Sequence, residues 1–230
     1  MNKRKLTFTT MLLLTIAFAM AQKQTGTPCP TSVSDYDGNT YNVVRIGDLC
    51  WMRENLRSTH YADGTNVDFE RTESTITGFL YTWNVAKGIE RGKQGVCPDG
   101  WYLPSDWEWQ QMEIASGAVD KASANKMNNR GNYAYKLCSN IKNVWSEGYS
   151  SSYYSSNPYY PDGKCNTSGF SALPNEDVVF LGVIVGKCTN FWTATEFDKD
   201  HALTRHLENN SNSISRKKEK KWNAYSVRCV

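Results

Sequence analysis

Seven cysteines, Cys29, Cys50, Cys97, Cys138, Cys165, Cys188 and Cys229, limit what this chain can fold into more than any other feature, and their meaning depends on the compartment. The N-terminus indicates which one. Lys3, Arg4 and Lys5 precede an apolar run from Leu6 to Met20, and Ala19-Met20-Ala21 offers the small residues a signal peptidase needs. Residues 1–21 therefore read as a secretory signal peptide, followed by a short segment, 22–30. The run is short for a membrane span, so no stable membrane insertion of the mature chain is expected. In an oxidising compartment, cysteines that form no C-x-x-C pair default to structural disulfides rather than a zinc or redox site. The odd count leaves a thiol over. Cys188, just past the apolar run Val178–Val185, is the candidate for a buried one.

The same three basic residues at the start account for the whole excess of 26 basic over 23 acidic side chains, so the mature chain is formally neutral. General attraction to nucleic acid or anionic membrane is not supported. Aromatic residues make up 13% of the chain, too many for a disordered tail, and 230 residues suffice for one domain with a sizeable core.

Most of the mature chain reads as short strands. Val33–Val44 alternates around Asp37-Gly38-Asn39 and predicts a hairpin, Gly47-Asp48 a second turn, and Phe79, Tyr81 and Trp83 a strand with one aromatic face. After Pro104, Ser105 and Glu108 form a capping box that starts a helix stopped by Gly117. A second helix is expected over about 119–128. The stretches 191–196, 202–207, 213–216 and 222–230 predict a closing antiparallel sheet, giving an α+β class. Between them, 148–161 is a Ser/Tyr tract. Its rings and hydroxyls, Tyr149, Tyr153, Tyr154, Tyr159 and Tyr160, are the candidate binding residues, with a linker or an insertion packed over the core as the alternative.

Six blocks carry a resemblance. Asp35-Tyr36-Asp37-Gly38-Asn39-Thr40-Tyr41, Cys50-Trp51-Met52-Arg53-Glu54-Asn55-Leu56, Cys97-Pro98-Asp99-Gly100-Trp101-Tyr102-Leu103-Pro104-Ser105-Asp106-Trp107-Glu108-Trp109, Ser168-Gly169-Phe170-Ser171-Ala172-Leu173-Pro174, Phe191-Trp192-Thr193-Ala194-Thr195-Glu196 and Tyr225-Ser226-Val227-Arg228-Cys229-Val230 resemble, in order, the Fibrobacter succinogenes major paralogous domain family over 31–230. The chain departs from it at Asn175-Glu176-Asp177 and over 119–166. The resemblance implies an exported domain of the Bacteroidetes–Fibrobacteres lineage with a C-type-lectin-like, formylglycine-generating-enzyme-like fold: a twisted antiparallel core with one or two helices. It also implies the bridges Cys97–Cys229 and Cys29–Cys50, with Cys138–Cys165 as a third pairing and Cys188 unassigned. Trp51, Trp101 and Trp192 are assigned to packing.

Catalytic and metal signatures are weak. His201 and His206, five residues apart on a strand, point to opposite faces, and His60 stands elsewhere. Asp35, Asp37 and Asn39 fit a turn better than a calcium loop. Glu196, Asp198 and Asp200 read as a solvated connection more than a cation site. Trp222-Asn223-Ala224 lacks the carboxylate of a calcium-dependent sugar site. The basic run 216–221 reads mainly as protection for a strand edge. The expectation is a secreted, non-enzymatic binding module with no cofactor and no metal, contacting a glycan or cell-surface protein through exposed aromatics. The alternatives are a metal-dependent oxidase of the formylglycine-generating type and a structural envelope component.

Overall fold

Asp35 closes the first hairpin. Its carboxylate accepts hydrogen bonds from the Asn39 backbone N–H at 2.9 Å and the Tyr41 hydroxyl at 2.6 Å, and the chain reverses between β1 (Ser32–Ser34) and β2 (Thr40–Ile46). The computed structural model describes residues 28–67, 77–89, 91–140, 145, 165–175, 179–180, 183–184 and 186–230. The signal-like segment and all five candidate tyrosines, Tyr149, Tyr153, Tyr154, Tyr159 and Tyr160, lie outside the described residues. β3 (Leu49–Met52) completes a three-stranded antiparallel sheet through the two-residue turn Gly47-Asp48. Gly47 has φ +64°, and a Cβ there would sit 3.1 Å from the Ala115 Cβ, so only glycine fits both the turn and the neighbouring helix.

The larger sheet has six strands: β4 (Leu80–Thr82), β5 (Asn128–Arg130), β8 (Cys188–Glu196), β9 (His201–Glu208), β10 (Ile214–Lys220) and β11 (Ala224–Ser226), in the order β4-β11-β8-β9-β10-β5. A two-stranded hairpin, β6 (Val179–Phe180) and β7 (Val183–Ile184), stands apart from it. Pairing in the large sheet is antiparallel except at the β11–β8 contact, where Ser226 lies parallel to Phe191, so the closing sheet is mixed. Helix α1 spans Trp83–Lys87 and helix α2 spans Asp106–Ala115, with the capping box formed as the sequence predicts. The expected strand at 79–83 is shorter, because Trp83 opens α1. No helix forms over 119–128: that stretch is turns leading into β5, closed by the Asp120 carboxylate on the Ser123 backbone N–H, and it lacks an apolar stripe.

The pleat divides the interior into two clusters. Trp51, Phe191 and Val230 enter one, with Trp109, Phe170 and Leu207, while their neighbours Met52, Trp192 and Cys229 enter the other, with Tyr41, Tyr81, Trp83 and Leu103. In the first cluster the Trp51 and Trp109 rings meet edge-on at 5.1 Å, and Phe170 and Phe191 each lie 5.5 Å from Trp109. Trp51 and Trp192 are core residues, and Trp101, half-buried, packs against the second cluster. Arg228 is wholly buried over the Phe170 ring and spends its donors on Asn55 Oδ1 at 2.6 Å and on the carbonyls of Met52, Phe170 and Ser171. Burial draws its guanidinium down to about 9, so it is still cationic at neutral pH.

Disulfides join Cys29 to Cys50 and Cys97 to Cys229. The third pairing, Cys138 with Cys165, is not made: the Cys138 thiol sits 3.4 Å from the Ala134 carbonyl oxygen within its own turn. Cys138, not Cys188, is the fully buried thiol, because Cys188 begins β8 half-exposed.

A buried ion network fixes α2 to the sheet. Glu113 meets Arg130 at 2.9 Å and Arg205 at 2.6 Å, and Asp106 meets Arg205 at 2.7 Å and Arg216 at 2.8 Å. Burial raises the Asp106 carboxyl, but the hydrogen bonds and charges of Arg216 and Arg205 outweigh it and hold the group at about 2, below its ordinary 3.8. A lowered folded-state value stabilises the fold above the unfolded pKa and is lost as pH falls through the folded one. The stability gap between wild type and Asp106→Asn, measured by urea unfolding, should therefore shrink by about 2 kcal/mol between pH 5 and pH 2. Replacing Cys97 and Cys229 together by alanine, with 132 positions between them, should cost about 4–5 kcal/mol in the same assay.

Candidate functional site

Where the Gly47-Asp48 turn crosses α2, the surface opens into a cleft of about 140 Å³. Its inner end is formed by Ile46, Trp51 and Met112, all buried, and its walls by Leu49 and Tyr102. Trp51 has an indole N–H with no hydrogen-bond partner. The rim carries Asp48, Trp107, Glu108 and Gln111, three of them from the first six residues of α2.

Helical geometry aims these side chains. Trp107 and Trp109 are two positions apart, about 200° around the axis, so they cannot both face the core. Trp109 is wholly buried and Trp107 is 53% exposed. The capping box fixes Glu108: its carboxylate accepts from the Ser105 backbone N–H at 2.7 Å, the Ser105 hydroxyl at 2.8 Å and the Tyr102 hydroxyl at 2.7 Å. Burial and that bond to Glu108 push the Tyr102 phenol above its usual range, so the hydroxyl keeps its proton and stays a donor. The Tyr102 backbone in turn exchanges two hydrogen bonds with Val230, next to the Cys97–Cys229 bridge.

Tyr102 also borders a second depression of about 350 Å³ between the end of α1 and the loop 91–95. Lys87, Lys93 and backbone groups line much of it. A Cβ on Gly95 would lie 1.9 Å from the Ala86 carbonyl oxygen, so this loop is closely fitted against α1.

None of the other exposed aromatics of the described residues lines the cleft. Tyr36 lies against His60, Tyr133 against Tyr135 and under the Lys136 ammonium, Phe197 under Lys218, and Trp222 under Lys220. The basic run is divided in the same way. Arg216 is committed to Asp106, and Lys221 pairs with Glu196. Lys217–Lys220 lies beyond the part of β10 that β5 covers, along an open edge. His60 is bound by Asp37, His201 by Asp198, and His206 lies between Asn190 and Glu208. Among the described residues no three His, Cys, Asp or Glu side chains gather as a metal site, and no helix is long and apolar enough to cross a membrane.

The model of the Fibrobacter succinogenes major domain matches residues 44–230. The chain belongs to this family. The matched span holds α2, both cleft walls and the Cys97–Cys229 bridge, while the Asp35–Tyr41 block precedes it. Neither the curated proteins nor the solved structures contain a match to the chain.

Sequence reading passed over the cleft because Asp48 reads only as a turn residue, Gln111 belongs to no motif, and the two are 63 positions apart in the chain. The signal that could have found it is the Trp107/Trp109 spacing on a capped helix. The two rings should separate in a stability test. Trp109→Ala should cost about 3–5 kcal/mol in urea unfolding, whereas Trp107→Ala should stay within about 0.5 kcal/mol of wild type.

Proposed function

We propose that this protein is an exported, non-enzymatic binding module of C-type-lectin-like architecture that holds one sugar ring of a glycan in the cleft between the Gly47-Asp48 turn and α2. The observation that carries this reading is the exposed Trp107 ring set beside an anchored carboxylate, Glu108, and the polar rim residues Asp48 and Gln111. A pyranose has one face rich in C–H groups and an equator of hydroxyls. An indole face suits the first, and carboxylates and amides suit the second. The cleft is smaller than a drug-sized pocket, which fits a single ring rather than a buried cofactor.

Two disulfides support an oxidising compartment, and the N-terminal segment has the composition of an export signal. The lectin-like reading draws support from the way the first and last segments meet, with the Met52 N–H donating to the Cys229 carbonyl and the Leu56 N–H to the Val227 carbonyl. The oxidase alternative has less behind it, since Cys229 is already bonded to Cys97 and holds no thiolate.

A glycan array followed by calorimetry on the best binder tests the reading. The expected result is saturable one-site binding that Trp107→Ala weakens at least about tenfold with unchanged melting. Equal binding by Trp107→Ala, or no glycan bound at all, would overturn it.

A further inference from the structure

The cleft also carries information about charge. Among the described lining residues two, Asp48 and Glu108, are carboxylates, and none is a lysine, arginine or histidine. Glu108 is held in place at the rim by three donors. Asp48 sits exposed on the turn opposite. The nearest arginine on this hairpin, Arg45, neighbours the cleft-lining Ile46 on β2, so the pleat sends it to the other face of the sheet. From there its guanidinium reaches the Asp48 backbone carbonyl at 3.3 Å. Lys87 and Lys93 line the second depression, which shares Tyr102 with the cleft. At the inner end, the partnerless indole N–H of Trp51 can only donate. The described lining residues offer an aromatic platform, two carboxylates at the rim and no cation to meet an anion.

We infer that the cleft selects sugar rings bearing a free amine over neutral rings, and excludes uronic and other acidic sugars; this rests on the glycan-binding reading above. The ammonium of such a ring would sit at the rim between the Asp48 and Glu108 carboxylates while its C–H face packs on Trp107. An acidic sugar placed there would face two like charges across a partly desolvated gap.

Three soluble oligomers of matched length separate the possibilities in calorimetry on the full mature chain: a glucosamine oligomer with free amines, its N-acetylated form, and an oligogalacturonate. The free-amine oligomer should bind about tenfold more tightly than the N-acetylated one at low salt, with the difference falling as salt rises, and the oligogalacturonate should show no binding. Asp48→Asn should bring the amine preference, read as the ratio of the two affinities within the same variant, below about threefold. Because Asp48 is an exposed turn residue and Asn tolerates turn geometry, the variant should fold normally, which its melting curve verifies. Equal affinity for the amine and N-acetyl forms, or binding of the acidic oligomer, would overturn the charge selection while leaving the glycan-binding cleft intact. Failure of all three oligomers, together with failure of every glycan on the array, would overturn both.

Discussion

Two carboxylates on one helix hold three arginines from three strands, and the rest of the site takes its position from that arrangement. Asp106 and Glu113 are seven residues apart, close to two full turns, so they leave α2 on one face and point together into the sheet. There they meet Arg205 of β9, Arg216 of β10 and Arg130 of β5. Burying these charges is expensive. The cost is offset only because each carboxylate takes several charge-assisted hydrogen bonds and little donor capacity is left unused. Removing one partner would strand the others, which makes the network a strict constraint on where α2 can lie. Trp107 and Glu108 begin that helix, and they reach the cleft because its opposite face is fixed.

The second constraint comes from strands that face two interiors. β3, β8 and the last residues of the chain each send alternate side chains to different clusters, so a shift of one residue would exchange the two cores. Arg228 marks the register at the C-terminus. It gathers four oxygen acceptors from two separate segments, Met52 and Asn55 in one and Phe170 and Ser171 in the other. The Cys97–Cys229 bridge then fastens the next residue to the segment that leads into Tyr102 and α2. The cleft wall is thus tied to the chain terminus by a covalent bond and by the paired backbones of Tyr102 and Val230.

Local chemistry was legible in the sequence and long-range chemistry was not. The turns at Asp37-Gly38 and Gly47-Asp48 and the Ser105/Glu108 capping box announce themselves because all their partners lie within a few residues. Glu113 gives no such signal: its arginine partners lie 17 and 92 positions away, and its burial looks like an error in the helix pattern until they are known. The helix expected over 119–128 fails for a related reason. Its residues are tolerable helix formers, but side-chain bonds at Asp120 and the claim of Arg130 on the Ala124 carbonyl favour turns. The basic run looks uniform in sequence and is not. Arg216, Lys218 and Lys220 share one face of β10, yet Arg216 is taken up by Asp106 of α2 while Lys218 and Lys220, further along the strand, lie on the Phe197 and Trp222 rings. Surface rings looked like one binding feature, yet of the exposed rings among the described residues Trp107 alone lines the cleft.

This ordering of surface rings can be read directly from the eight tryptophan indoles. Nitrogen-15 labelling resolves each indole N–H, and titration with a bound glycan reports which ring it touches. The account predicts that the Trp107 resonance moves saturably while those of the exposed Trp222 and the buried Trp83 and Trp192 stay in place. Movement of Trp222 with Trp107 unchanged would contradict it.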